Sequence, residues 1–171
     1  MKVHIIGQAG SGKTTLARWL AERDGSVAFD LDIVVYGPRG ERTHAERTAL
    51  VAAILDHEGW VAEGAYREEW LSPLLNEAEV IVWLDLPLRV CLWRIFRRHV
   101  AAEFRRNNPH PGWRKLAGFM RYTWQADRSS RVEVQRLLRG YGVKVVRLRS
   151  GGKVRRWQRT VSRRGDAPGG V

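Results

Sequence analysis

Gly7, Gly12, Lys13 and Thr14 follow the pattern glycine, four residues, glycine, lysine, threonine within the stretch IIGQAGSGKTT. Glycines so spaced let successive backbone N–H groups converge on an anion at a helix start, where the helix dipole already favours negative charge. The lysine ammonium then reaches the β- and γ-phosphates of a nucleoside triphosphate, and the threonine hydroxyl is placed to ligate Mg²⁺. The expected cradle is Gly7, Ala9, Gly10, Ser11, Gly12, Lys13, Thr14 and Thr15, with Lys13 also acting on the transferred group. A β-branched run before the loop and an amphipathic stretch after it supply the strand and the helix that such a loop needs.

In open parallel sheets, ligands bind beyond the carboxyl ends of the strands, so acidic residues there are candidates for metal and acceptor chemistry. Asp30 and Asp32 in FDLD, Glu63 in WVAEG and Asp85 in VIVWLD occupy such positions. Asp30 and Asp32 share one side if the strand continues through them; otherwise one alone faces the site. Either could bind an acceptor hydroxyl by hydrogen bonds, and Asp32 is the expected proton acceptor. Glu63 is expected to bind the acceptor too, with Arg67 close by to hold an anionic one. Asp85, after the apolar run VIVWL, reads either as a carboxylate that holds Mg²⁺ indirectly, behind its direct ligands, or as a cap for the helix after Pro87.

These residues need a scaffold that alternates strands with helices. KVHII, VAFDLD, WVAEG, VIVWLDLP and VKVVRLRS read as five short strands. Helices are predicted at KTTLARWLAER, at LRVCLWRIFRRHVAAEF, and at 43–58, where Thr43 and Glu46 form a capping box and Gly59 closes the helix. REEWLSPLLNEAE is expected to be partly helical and broken near Ser72 and Pro73. A second long helix covers roughly 113–139 after the RRNNPHPG loop, and a short one follows Gly151 and Gly152. Five strands alternating with helices predict a parallel α/β sheet with right-handed crossovers. A single domain over 1–161 is expected, with a disordered basic tail at 162–171.

The formal net charge of +12 is unevenly spread: residues 1–90 carry 9 basic and 14 acidic side chains, residues 91–171 carry 21 and 4. The second half either contacts a polyanion, such as nucleotide phosphates, a nucleic acid or an acidic membrane surface, or presents solvated arginine-rich helices. Fixed cations stabilise the charge that phosphoryl transfer spreads over the moving group. Arg94, Arg97 and Arg98 share one helix face, and Arg121, Arg128 and Arg131 follow at roughly helical spacing. Segment 99–127 is the natural lid, and Arg94, Arg98 and Arg128 are the candidate catalytic cations. No apolar run approaches the roughly 18 residues of a membrane span. Cys91 is the only cysteine, so a cytoplasmic location is expected; the histidines show no metal-ligand spacing, and the tryptophans read mostly as core. Oligomeric state has no visible signature.

HIIGQAGSGKTTLARWLAER, DLD, GWVAEGAY and VIVWLDLPLRVCLWRIFRRH resemble the adenylate-kinase-like P-loop proteins, and among them the subgroup labelled DNA topology modulation proteins, over about residues 2–150. The resemblance implies a P-loop NTPase three-layer α/β sandwich, a five-stranded parallel sheet in the order 2-3-1-4-5 and a helical lid after the fourth strand. It implies ATP with Mg²⁺ as donor, and Arg94 and Arg98 on the nucleotide's base and phosphates. The DLD pair resembles the acidic pair of shikimate- and gluconate-type kinases, whose acceptors are small hydroxyl compounds. The pattern by which adenylate kinases bind AMP is not recognisable between residues 30 and 60. The expected function is ATP-dependent phosphoryl transfer to a nucleotide or small hydroxyl metabolite. A nucleotide-dependent, DNA-associated regulator with little turnover stays open beside it, as does a nucleotide-binding switch; any nucleic-acid binding would be weak and salt-sensitive.

Overall fold

The computed structural model describes residues 1–104 and 112–165; the centre of the expected lid, 105–111, and the end of the expected tail, 166–171, lie outside the described residues. Strand β1 (Lys2–Gly7) is apolar and buried along almost its whole length, as suits the middle of a parallel sheet. It feeds the glycine loop and helix α1 (Lys13–Asp24), which stops where Gly25 adopts the left-handed conformation, φ 69°. Strand β2 (Val27–Asp30) is shorter than VAFDLD predicts. Asp30 Oδ1 accepts a hydrogen bond from the Asp32 N–H at 3.0 Å and turns the chain into a short helix, α2 (Asp32–Val35). A small antiparallel hairpin, β3 (Tyr36–Gly37) with β4 (Gly40–Glu41), precedes α3 (His44–Leu55). The capping box of Thr43 and Glu46 is present, but α3 ends at Asp56 rather than Gly59.

Strand β5 (Trp60–Gly64) is wholly buried. Glu69–Leu71 form a 3₁₀ turn that runs into α4 (Ser72–Glu77). Pro73 starts that helix instead of breaking it, because the first turn has no intrahelical partner for the missing N–H. Strand β6 (Val80–Leu84) and the long helices α5 (Leu88–Phe104) and α6 (Trp113–Leu137) follow. A 3₁₀ segment, Leu138–Lys144, leads to β7 (Val145–Leu148) and α7 (Gly151–Gly165). Helix α7 is thus long rather than short, and residues 162–165 of the expected tail belong to it.

The main sheet is parallel throughout, in the order β2-β5-β1-β6-β7. Numbered by these five strands alone the order is 2-3-1-4-5, as the resemblance implies. Alternate residues face opposite layers. Ile6, Trp60, Ala62, Ile81 and Trp83 pack against α2, α3 and α4. Val3, Ile5, Val61, Val82 and Leu84 pack against α1 and α7. Burying each such side chain stabilises the fold by about 1.5–3 kcal/mol. Register sets Glu63 beside Ile5 and Leu84 beside Gly7, so β1, β5 and β6 end together under the glycine loop.

Tryptophans depart from expectation. Trp60, Trp70 and Trp83 are core, but Trp93, Trp113 and Trp124 are 60%, 58% and 64% exposed on α5 and α6. Both helices present only a narrow buried stripe, formed by Cys91, Ile95, Leu116, Thr123 and Val134, so their aromatic residues face outward. Among the described residues, no helix is long and apolar enough to cross a membrane.

Candidate functional site

The glycine loop is fixed by close packing from below. Gly10 has φ 75°, and a Cβ there would lie 2.5 Å from the Cys91 carbonyl oxygen, so α5 can seat directly under the loop only if this residue is glycine. Gly12, at φ 96°, turns the chain into α1. The Ser11 N–H donates to the Gln8 carbonyl at 3.2 Å, and Arg94 Nη1 donates to the Ser11 carbonyl at 2.8 Å. Arg94 therefore braces the loop from α5. Ser11 is buried, and its hydroxyl has no hydrogen-bond partner among the described residues.

At the start of α1, Lys13 Nζ lies 3.9 Å from Glu63 Oε2 and 3.5 Å from the Gln8 carbonyl. Burial pulls the Lys13 ammonium below its ordinary pKa, while Glu63, Asp32 and Asp30 push it back up. Thr14 Oγ1 donates to Glu63 Oε1 at 2.5 Å. Burial raises the Glu63 carboxyl above the usual carboxylate range, opposed by that hydrogen bond and by Lys13. Glu63 is thus the carboxylate that meets the loop.

A cleft of about 900 Å³ opens over the loop, lined by Gly10 to Thr15, by Arg94, Arg97 and Arg98 of α5, and by Arg155 of α7. A second cleft of about 510 Å³ lies beside it, between the ends of the central strands and α6. Ala9, Asp32 and Phe119 line both. Asp32 is exposed at the start of α2, and its Oδ1 accepts a hydrogen bond from Tyr66 Oη at 2.7 Å. Burial and that bond hold the Tyr66 phenol firmly protonated, far above its ordinary pKa. Of the two aspartates, Asp32 lines the clefts, and Asp30 accepts a hydrogen bond from the Asp32 N–H at the start of α2.

Two expectations change. Asp85, expected at the metal, lines neither of these clefts. Its buried carboxylate is held by Arg131 at 2.5 Å on one oxygen and by Arg147 at 2.7 Å on the other, with Arg149 at 3.7 Å. Both oxygens are taken by cations, so Asp85 pins α6 and β7 to the end of β6. Arg128 is exposed on α6 and lines neither cleft, and Arg131 is engaged with Asp85 and Asp127. Among the described residues, the cations over the loop are the expected Arg94 and Arg98 with Arg97, all of α5, and Arg155 of α7. Arg67 lines the second cleft as expected, but its Nε is paired with Glu133 at 2.9 Å and its Nη1 donates to Ser130 at 2.7 Å. Sequence reasoning missed Tyr66, Phe119, Tyr122 and Glu133. Tyr66 stands in the quoted stretch AEGAY, and its proximity to strand β5 was the available signal.

No family model and no curated protein matches the chain. Among solved structures it is similar to shikimate kinase from Acinetobacter baumannii in complex with shikimate, at 18% identity and a TM-score of 0.54, over 94% of this chain and 90% of that one. It is similar to a gluconokinase from Sinorhizobium meliloti 1021 at 14% identity and a TM-score of 0.52, over 95% and 96%. At such identities the likeness is one of fold, the α/β P-loop fold of these kinases. It lends no support to the DNA topology modulation label.

Proposed function

We propose that this protein is an ATP-dependent phosphotransferase that moves the γ-phosphoryl group to a hydroxyl of a small molecule. The observation that carries the reading is the common wall of the two clefts: Ala9 of the phosphate loop and Asp32 border both. A donor in one and an acceptor in the other would meet at Asp32. The two similar solved structures support the class, since both are small-molecule kinases by name.

In this reading, backbone N–H groups from Ala9 to Thr15 and the Lys13 ammonium hold the donor's β- and γ-phosphates. Arg94 keeps the loop in shape through the Ser11 carbonyl, and Arg97, Arg98 and Arg155 supply positive charge over the same cleft. Among the described residues, no cluster of three or more His, Cys, Asp or Glu forms a protein-only metal cage. The Thr14 hydroxyl and the Glu63 carboxylate beside it are hard oxygen donors that fit Mg²⁺. When bound there, the ion neutralises charge on the β- and γ-phosphates. Asp32 accepts the acceptor's hydroxyl proton as the acceptor oxygen bonds to the γ-phosphorus, the bond from phosphorus to the bridging oxygen breaks, and ADP leaves. Tyr66 holds Asp32 in position through its phenol.

Replacing Asp32 with Asn tests the assignment. The expected result is a fall in kcat of about 10²–10⁴ with ATP affinity unchanged. An unaltered kcat would remove Asp32 from the reaction.

A second reading, nucleic-acid contact, is favoured by one observation. Lys153, Arg155, Arg156, Arg159 and Arg163 of α7 have no ion-pair partner among the described residues. Such a face would attract any polyphosphate through charge alone.

A further inference from the structure

The cleft beside Asp32 has walls of uneven charge. Among the described residues, Asp32, Glu68 and Glu133 supply three carboxylates to its lining, and Arg67 supplies one guanidinium. That guanidinium is neutralised by Glu133 and hydrogen-bonded to Ser130. Glu68 is paired with Arg47 at 3.2 Å and accepts a hydrogen bond from Trp70 Nε1 at 2.5 Å. Asp32 accepts a hydrogen bond from the uncharged Tyr66 hydroxyl, Asp30 adds a second carboxylate close behind it, and the cation that acts on both, Lys13, lines the neighbouring cleft and not this one. Among the described residues, no unpaired cation stands in this lining to receive an acid. A hydroxy acid or a phosphorylated acceptor in this cleft would lie against Asp30 and Asp32, with the free cations confined to the neighbouring cleft.

The remaining wall is aromatic. Phe119 and Tyr122 of α6 are 42% and 67% exposed, and both line the cleft with Tyr66. Aromatic faces beside a carboxylate make a favourable seat for an ammonium group, through ring quadrupole and Coulomb attraction together.

We propose that the acceptor is a hydroxyl compound carrying an ammonium group and an apolar or ring-shaped body, an amino alcohol or amino sugar in class, and neither a hydroxy acid nor a nucleotide. The proposal rests on the phosphotransferase reading for the identity of the cleft as an acceptor site. The ammonium would sit between Asp32 and the ring of Tyr122, with the hydroxyl turned towards Ala9 and the phosphate loop.

The test uses three probes that share a phenyl ring and a secondary hydroxyl and differ only in charge: phenylethanolamine, phenylethylene glycol and mandelate. Binding to the full-length protein at millimolar probe is followed by ligand-observed NMR, without ATP turnover. The expected order is amine, then glycol, then acid, with the amine bound about tenfold more tightly than the acid. Glu133→Gln, which releases Arg67, should narrow that ratio by strengthening mandelate binding. Mandelate bound as tightly as the amine by the unaltered protein, or no binding of any of the three, would overturn the proposal. An amine preference without any label transfer from ATP would leave the charge selectivity standing and remove the kinase reading. Label transfer to mandelate but not to the amine would do the reverse.

Discussion

Asp85 and Glu63 divide two roles that look alike from sequence. Each ends an apolar strand, and the sequence reading gives Asp85 to the metal and Glu63 to the acceptor. What separates them is the partner supplied from elsewhere in the chain: Thr14 and Lys13 for Glu63, Arg131 and Arg147 for Asp85. Replacing Asp85 with Ala would leave two guanidinium groups without their buried counter-charge. The expected cost is about 3 kcal/mol of stability, seen as a lowered denaturant midpoint. The Mg²⁺ concentration needed for turnover should not change. An unchanged midpoint with an altered Mg²⁺ requirement would restore Asp85 as a metal ligand. The phosphate loop itself was legible because its chemistry is local, eight consecutive residues in one conformation. Arg67 was legible as a cleft residue but not as a neutralised one, since Glu133 lies far along the chain.

Strands and helices were read from periodicity and end signals, and the main errors fall where a side chain redirects the backbone. Asp30 ends β2 early by accepting the Asp32 N–H as the chain turns into α2, and Pro73 lies in the first turn of α4. The parallel strands carry one unusual residue, His4, fully buried in β1 with neither ring nitrogen bonded among the described residues. Burial lowers its pKa from 6.5 to about 4. The folded protein therefore keeps His4 neutral while the unfolded chain takes up a proton as pH falls below 6.5. This contribution to stability is complete above that value and is lost as pH drops towards 4, by about 3 kcal/mol in all. His4→Leu should flatten the dependence of the urea midpoint on pH between 7 and 4.5 without lowering it at pH 7. A midpoint as pH-sensitive as that of the unaltered protein would assign acid lability to other groups. The α6 wall of the second cleft, by contrast, was not legible. Its aromatic residues look like core until the neighbouring helices are placed, and only then does it emerge that no described residue covers them fully.

Across the whole molecule, the charge asymmetry resolves into separate uses. Arg94, Arg97, Arg98 and Arg155 line the cleft over the glycine loop, Arg131 and Arg147 neutralise Asp85, and the outer face of α7 has no ion-pair partner among the described residues. Any affinity for DNA should then be electrostatic. With about three phosphate contacts it should fall roughly fiftyfold between 50 and 200 mM salt. An affinity that holds steady over that range would point to a built nucleic-acid site. The central claim is that one molecule binds donor and acceptor in adjoining clefts and passes phosphoryl between them. The most direct measurement is transfer of label from γ-labelled ATP with Mg²⁺ to a panel of amino alcohols, amino sugars, hydroxy acids and nucleoside monophosphates, with Lys13→Ala run in parallel. Labelled product from one class of acceptor, lost in that variant, is the result expected. Tight ATP binding with no labelled product from any member, or label that persists in the variant, would contradict it.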